Sequence, residues 1–199
     1  DDLANFKVGV ISLEENSDRY VLPPGVDREE YYNTTSVQAQ NEQSLLMQAE
    51  LSTKNKVQSI YKSTNLDLRR YKHLEMFVHA EDYKGINIPA NGDVELFIRM
   101  GTDVTSNYYE YSKPLLIGPK ATAGMDTNTV WNPENKIDFN LQEFVQAKIE
   151  RDQKNAAGDP NAAFTKRYAK TATDADDHLF VKGRPSLENV RYVVIGLRY

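Results

Sequence analysis

Three histidines and one acidic cluster are the groups of this chain that could bind a metal ion. His79 and Glu81 stand two residues apart, so on a strand both side chains point to one face and can bind zinc as a pair. His73 lies six residues before His79, which places the two imidazoles about 20 Å apart on a strand, too far to share a metal. Because this stretch lacks a third ligand, a structural role for His79 and Glu81 is the simpler interpretation.

The acidic cluster Asp174-Ala-Asp-Asp-His178 is the densest group of carboxylates in the chain. Asp174, Asp176 and Asp177 are candidate ligands for Ca²⁺, but their spacing lacks the glycine and the distant glutamate of an EF-hand. Solvation of a surface loop is therefore the simpler interpretation. A metal-dependent enzyme that combines this loop with the His79–Glu81 pair is kept as the third of three functional hypotheses.

The tyrosine-rich stretch around residue 109 is the most distinctive aromatic feature. Tyr108, Tyr109 and Tyr111, together with the single tryptophan Trp131, could form a flat platform for sugar rings. Tyrosines at alternate positions of a strand more often pack against neighbouring strands. A carbohydrate-binding module of a cell-envelope protein is therefore the second hypothesis, and it requires these rings to be exposed to solvent.

The sequence contains no constellation typical of a catalytic centre. A glycine-rich phosphate loop, a nucleophile elbow and a zincin helix are all absent from it, so we expect no catalytic residue, no cofactor and no enzymatic activity. The net charge of −5 disfavours nucleic acid as a partner, because phosphate backbones bind clustered lysine and arginine. These features favour a structural or interaction role.

The predicted elements are mostly strands. Apolar alternation, broken by Gly, Pro and Asn turns, predicts a mainly β fold: an antiparallel, jelly-roll-like β-sandwich with one amphipathic helix and long loops. We expect one domain over residues 1–199, in which 1–50 is an extended lead-in segment and 155–177 a mobile loop. Seven strands or alternating segments support this prediction, at residues 6–11, 74–81, 94–100, 108–116, 137–140, 179–182 and 189–199.

Two local predictions concern pairing and the helix. Asn91-Gly92 favours a tight turn, so residues 74–81 and 94–100 are expected to pair as neighbouring strands. Asn140 is a suitable N-cap for a helix that runs to about residue 154. Helical spacing then predicts one buried face, made of Leu141, Phe144, Val145 and Ile149.

A series of short motifs resembles a region of the SprA/Sov family of gliding motility and type 9 secretion proteins. The motifs occur in the same order over about residues 20–199, most of the chain. They are Asn41-Glu-Gln-Ser-Leu45, Asp67-Leu-Arg-Arg-Tyr71, Met76-Phe-Val-His-Ala-Glu81, Phe97-Ile-Arg-Met-Gly101, Asn107-Tyr-Tyr-Glu-Tyr111, Trp131-Asn-Pro-Glu-Asn135 and Gly183-Arg-Pro-Ser-Leu-Glu-Asn-Val190.

The resemblance implies a non-catalytic segment of the type 9 translocon, a very large outer-membrane protein whose β-barrel exports folded cargo. Its family partners are a PorV-type shuttle barrel, a plug protein and the cargo, and its membrane contact lies in the rest of the parent protein. The strand-like ends lead us to expect a piece of a longer chain that self-associates through a terminal strand. Gly101, Asn107, Tyr109, Gly183 and Pro185 lie in the motifs, where turns and packing are their expected roles.

Overall fold

The computed structural model describes residues 6–33, 36–50, 56–84, 89–170 and 178–199. The chain divides into two compact units, each built from separate stretches of sequence. Unit 1 comprises residues 1–50, 77–90 and 116–136, and unit 2 comprises residues 51–76, 91–115 and 137–199. A single domain over residues 1–199 stays a prediction beside this division.

The described elements are mainly strands, which confirms the predicted fold class with its antiparallel sheets and one main helix. The helices are α1 (Thr127–Val130) and α2 (Gln142–Ala156), and 3-10 turns cover Pro133–Asn135 and Pro160–Ala162. The strands are β1 (Phe6–Ser12), β2 (Glu30–Asn33), β3 (Ser36–Ala39), β4 (Gln43–Ala49), β5 (Val57–Leu66), β6 (His73–Met76), β7 (Glu95–Gly101), β8 (Tyr108–Pro114), β9 (Ile137–Asn140), β10 (Tyr168–Ala169), β11 (His178–Lys182) and β12 (Val190–Arg198).

A six-stranded antiparallel sheet forms the centre of unit 2, in the order β10-β11-β8-β7-β12-β5. The last strand, β12, lies between β7 and β5 and pairs with both. It therefore has no free edge in this sheet through which a second copy could pair. Self-association through a terminal strand stays a prediction. Among the described strands of this sheet, the edges belong to β10, with two residues, and to β5, with ten.

One face of this sheet carries the aromatic core. Tyr109 stacks on Phe144 of α2, and Tyr111 stacks on Phe139 of β9. Because Tyr109 and Tyr111 are two residues apart on β8, they point to the same face, so α2 and the β6–β9 pair cover that face together. The layer opposite the sheet is thus one helix and a two-stranded pair rather than a second large sheet.

Helix α2 begins one residue later than predicted: Leu141 occupies the N-cap position without a side-chain cap hydrogen bond. Asn140, the predicted N-cap, ends β9, and its side chain accepts a hydrogen bond from the Gln142 N–H at 2.9 Å. Its buried face differs from the prediction. Phe144, Ala147 and Arg151 are buried, whereas Ile149 is 44% exposed. The buried positions still follow the 3.6-residue period of a helix. The buried face is rotated relative to the predicted one, however, and it includes the aliphatic part of the Arg151 side chain.

The predicted hairpin around Asn91-Gly92 is wrong in its pairing. Gly92 does adopt a positive φ of 86°, as a turn residue should, and its N–H binds the Leu115 carbonyl. However, β6 is only four residues long and pairs with β9, while β7 pairs with β8 and β12. The chain passes from unit 2 to unit 1 at residue 77, which ends the strand before the predicted alternation does.

The described part of the predicted mobile loop, residues 155–170, contains short regular elements. The segment begins with the last turn of α2, and the 3-10 turn Pro160–Ala162 and strand β10 follow. Asp159 caps that turn by accepting a hydrogen bond from the Asn161 N–H at 2.8 Å. Residues 171–177 lie outside the described part of the chain.

In unit 1, β1 pairs with β4 and β2 pairs with β3. The stretch Gln43–Ala49, whose apolar run fits either a helix or a strand, is therefore a strand. A small apolar core is built around Trp131, whose indole N–H donates a 2.8 Å hydrogen bond to the Val21 carbonyl. Ala121 and Val130 are buried beside the indole.

Candidate functional site

The four aromatic candidates for a sugar platform are all buried. Tyr108, Tyr109, Tyr111 and Trp131 expose between 2% and 8% of their surface. Burial raises the pKa of Tyr109 to about 12, and its hydroxyl donates a hydrogen bond to the Pro185 carbonyl at 3.2 Å. The prediction of an exposed binding platform is therefore wrong for these residues. Tyr109 and Tyr111 stack on Phe144 and Phe139, Tyr108 lies against Arg99, and Trp131 is part of the small apolar core of unit 1.

The predicted His79–Glu81 pair is present in unit 1, within a small network. The imidazole lies 2.6 Å from the Val130 carbonyl through Nδ1 and 3.3 Å from the Glu81 carboxylate through Nε2. Because both partners are acceptors, the two nitrogens donate together only in the imidazolium form. Arg19 and the Ala121 N–H also donate to Glu81, at 2.5 and 2.8 Å.

The Glu81 carboxylate is held in its charged form. Partial burial raises its pKa, but hydrogen bonds from His79 and from the Ala121 N–H, with the charge of Arg19, bring the pKa below its ordinary value. In the part of the chain that the structure describes, no group of three metal-ligating side chains is found. The network therefore joins two stretches of unit 1, residues 77–81 and 116–136, through hydrogen bonds and an ion pair.

The other two histidines lie near carboxylates within unit 2. His73 belongs to unit 2, where its Nδ1 lies 3.2 Å from Asp138 across the β6–β9 pair. Asp174, Asp176 and Asp177 lie outside the described residues. His178 opens β11, with Nδ1 at 3.9 Å from the Glu95 carboxylate.

Five motif residues converge on one junction of unit 2. Gly183 has a positive φ of 64°, and a Cβ there would collide with the Ser106 carbonyl and the Asn107 side chain. Asn107 Oδ1 accepts the Arg184 N–H at 2.9 Å. A Cβ at Gly101 would likewise collide with the backbone of Asn107.

Two further contacts complete this junction. Lys148 of α2 and the Tyr109 hydroxyl both donate to the Pro185 carbonyl. Asp103 accepts the backbone N–H groups of Thr105, Ser106 and Asn107. Burial opposes the shift, but these bonds and one from the Asn107 side chain lower the pKa of Asp103 to about 2. The motif residues therefore serve turns and packing in this structure.

The largest charged cluster lies on the sheet face opposite the aromatic core, and sequence reasoning missed it. Glu110 is completely buried and accepts hydrogen bonds from three arginines, two on neighbouring strands and one just before β10. Arg99 donates through Nε and Nη2 at 2.9 and 2.7 Å to one carboxylate oxygen. Arg167 and Arg198 donate at 2.5 and 2.9 Å to the other oxygen.

The arginines of this cluster are also stacked on rings. The Arg99 guanidinium carbon lies 3.9 Å from the Tyr108 ring centroid, and that of Arg167 lies 3.2 Å from Phe180. Such contacts strengthen an ion pair because an arginine held flat on a ring loses little freedom when it donates. Burial alone raises the pKa of Glu110, but the charges of Arg167 and Arg99, with hydrogen bonds from Arg198 and Arg99, lower it.

This cluster ties strands together across the sheet. Glu110 comes from β8, Arg99 from β7 and Arg198 from β12, while Arg167 precedes β10. The cluster could have been found from the sequence, because side chains on a strand alternate between its two faces. This alternation places Glu110 on the face opposite Tyr109 and Tyr111. A charged residue inside an aromatic strand needs a buried partner, and Arg99 directly opposite on β7 supplies one.

Among the described strands, the long edge of the six-stranded sheet is the outer side of β5. Val57, Tyr61 and Leu66 of this strand are 49%, 67% and 42% exposed. Tyr61 packs edge-on against Tyr192 of β12, with ring centroids 6.0 Å apart. No other described strand pairs with β5 on its outer side.

Comparison with known families decides where this fold belongs. Residues 1–199 match the family model SprA_N, described as a motility related/secretion protein. The chain belongs to this family. The match confirms the resemblance that the ordered motifs predicted, and it identifies the chain as a segment of a motility- or secretion-related protein. A search of curated proteins gave no match.

Within the described residues, no helix is long and apolar enough to cross a membrane.

Proposed function

We propose that this SprA_N chain is a non-catalytic structural and interaction segment of a very large outer-membrane protein that acts in type 9 secretion and gliding motility. Membership of a motility and secretion family supports a cell-envelope protein of this kind. The rest of the parent protein supplies the contact with the membrane in this proposal. The partners are the shuttle barrel, the plug protein and exported cargo.

The observation that carries the proposal is the contrast between the two sides of unit 2. Its buried charge stabilises the sheet, because one carboxylate, Glu110, joins strands β7, β8 and β12 with the residue before β10. Its outer strand β5 instead presents exposed apolar side chains and open backbone groups. A rigid sheet with one open edge is an arrangement that binds other chains.

The carbohydrate-binding alternative has no support of this kind. It depended on exposed rings at Tyr108, Tyr109, Tyr111 or Trp131, and all four are buried.

Capture from envelope extracts tests the proposal. The purified chain serves as bait in extracts of a type 9-secreting bacterium, and mass spectrometry identifies what is retained. An unrelated acidic β-sheet domain of similar size is the control bait. We expect enrichment of shuttle barrel, plug or cargo proteins over the control. Equal retention by both baits would contradict an interaction role.

A further inference from the structure

Strand β5 is a long sheet edge with no strand of the described residues on its outer side. Natural sheets blunt their edges with very short strands, prolines, bulges or several charges, because open backbone groups pair with other chains. The opposite edge of the same sheet, β10, is protected in this way by having only two residues. β5 has ten residues, contains no proline and carries one charged side chain, Lys62. Its register with β12 shifts between Ser63 and Leu66, so the regularly paired part of the edge is Val57–Ser63.

The exposed side chains of β5 extend this edge into a surface. Val57 and Tyr61 lie on one face of the strand, and Tyr192 of β12 continues that surface beside Tyr61. Ile60, Lys62 and Thr64 alternate with them on the other face. An added strand would therefore gain backbone hydrogen bonds from the edge and apolar contacts from Val57 and Tyr61.

The charge of the side chains on β5 favours one kind of partner strand. Residues 56–66 contain two basic side chains, Lys56 and Lys62, and no acidic one, in a protein whose net charge is −5. Arg69, beyond the end of the strand, is paired with Asp67 and Glu188. Lys62, at the middle of the edge, makes no ion pair with any described residue. Opposite charges on paired strands stabilise the pair, and like charges destabilise it.

We propose that the outer edge of β5 binds an extended acidic segment of a partner protein, which adds to the sheet as a seventh strand. The proposal rests on the interaction role proposed above and names the chemistry of the partner at that surface. Lys62 sets the charge preference, and the apolar pair Val57 and Tyr61 supplies the contacts that do not depend on charge.

A displayed library of random twelve-residue peptides tests this edge directly. Selection on the whole chain should enrich acidic peptides in which apolar and polar residues alternate. Selection on Lys62→Glu should enrich basic ones. The best acidic peptide should bind Lys62→Glu about fivefold more weakly, since an exposed cross-strand attraction becomes a repulsion. Lys166→Glu is the matched control, because Lys166 is exposed and lies next to the opposite edge strand, β10.

Hydrogen exchange locates the bound peptide. Amides of residues 57–66 should gain protection in the complex. Several outcomes overturn the proposal: no enrichment, enrichment without charge preference, equal weakening by the two substitutions, or protection only outside β5. Protection of β5 that grows with protein concentration in the absence of peptide would also overturn it, because the occupant would then be a second copy of the chain.

Different results would contradict the proposed β5 binding site and the proposed secretion role. If envelope proteins are captured equally by the wild type and by Lys62→Glu, the interaction role stands and the β5 site is wrong. If acidic peptides bind at β5 but no envelope component is captured, the site stands and the secretion role is wrong.

Discussion

Neutralising the buried carboxylate of Glu110 is the most informative perturbation of this fold. In Glu110→Gln the side chain keeps its size, but three guanidinium groups lose the single anion they share. Breaking a buried ion pair by removing one partner costs about 3–5 kcal/mol. Arg99, Arg167 and Arg198 are 20–33% exposed and can regain some hydration, so we expect a loss near the lower limit, about 3 kcal/mol.

Urea unfolding followed by circular dichroism measures this loss as a lower free energy of unfolding at pH 7. For a chain of this size the corresponding fall in Tm is about 6–12 °C. Glu95→Gln is the matched control. Glu95 binds Arg198 at 3.1 Å from a partly exposed position, so its loss should cost less than about 1 kcal/mol.

The pH dependence of the Glu110→Gln difference gives a second check. The pKa of Glu110 is lowered in the folded chain, so its stabilising effect is complete above the unfolded pKa and is lost as pH falls through the folded pKa. The wild type and Glu110→Gln should therefore differ most near neutral pH and converge in acid. If Glu110→Gln lies within 1 kcal/mol of the wild type at pH 7, the cluster does not hold the sheet together and this reasoning is refuted.

Three further perturbations test other parts of the structure. Gly183→Ala should lower the free energy of unfolding in urea by about 2–4 kcal/mol, because a methyl group there meets the Ser106 carbonyl. Gly158 also has a positive φ but has open space around it, so Gly158→Ala should lower that free energy by about 1 kcal/mol. Asp103→Asn should cost about 1 kcal/mol at pH 7, after allowance for its exposure. That loss should shrink between pH 4 and pH 2, because the folded pKa is about 2 and the unfolded value is near 3.8. Glu81→Gln should destabilise the chain at pH 7 by about 1–2 kcal/mol and match the wild type in acid, since the folded pKa of Glu81 is lowered; an equal deficit at both pH values would show that shape rather than charge matters there.

Alternation along the sequence predicted the strands that have one apolar face. In β8 the rings of Tyr109 and Tyr111 repeat every second residue and pack on α2 and β9, so local pattern and tertiary contact agree. β5 was missed for the opposite reason. An edge strand is exposed on much of its surface, and Val57, Tyr61 and Lys62 therefore show no apolar period.

Pairing and burial depend on long-range contacts that a local pattern does not contain. Asn91-Gly92 forms the expected turn, yet the strand before it pairs with β9, much further along the chain, where His73 lies opposite Asn140 and Glu75 opposite Asp138. In α2 the choice between Ile149 and Arg151 as the buried residue was set by packing, since the Arg151 guanidinium lies 4.5 Å from the Phe164 ring.

The candidate site was predictable only in part. The pattern in the sequence placed His79 and Glu81 side by side and gave the junction glycines Gly101 and Gly183 their role in turns, and the structure agrees. The sequence also suggested the four aromatic residues as a binding platform. That prediction was wrong because the presence of a tyrosine does not show whether other elements cover its face of the sheet. Glu110 went unnoticed, since its three partners are separated in sequence and meet only in the folded sheet.

Site-specific crosslinking in living cells tests the central claim most directly. A photoreactive phenylalanine analogue replaces Tyr61 in the full-length parent protein of a type 9-secreting bacterium, and in a separate strain it replaces Lys166. If this segment binds other components of secretion, irradiation should link position 61 to shuttle, plug or cargo proteins, with few or no products from position 166. The same pattern of products from both positions, or none of these proteins at position 61, would contradict the account.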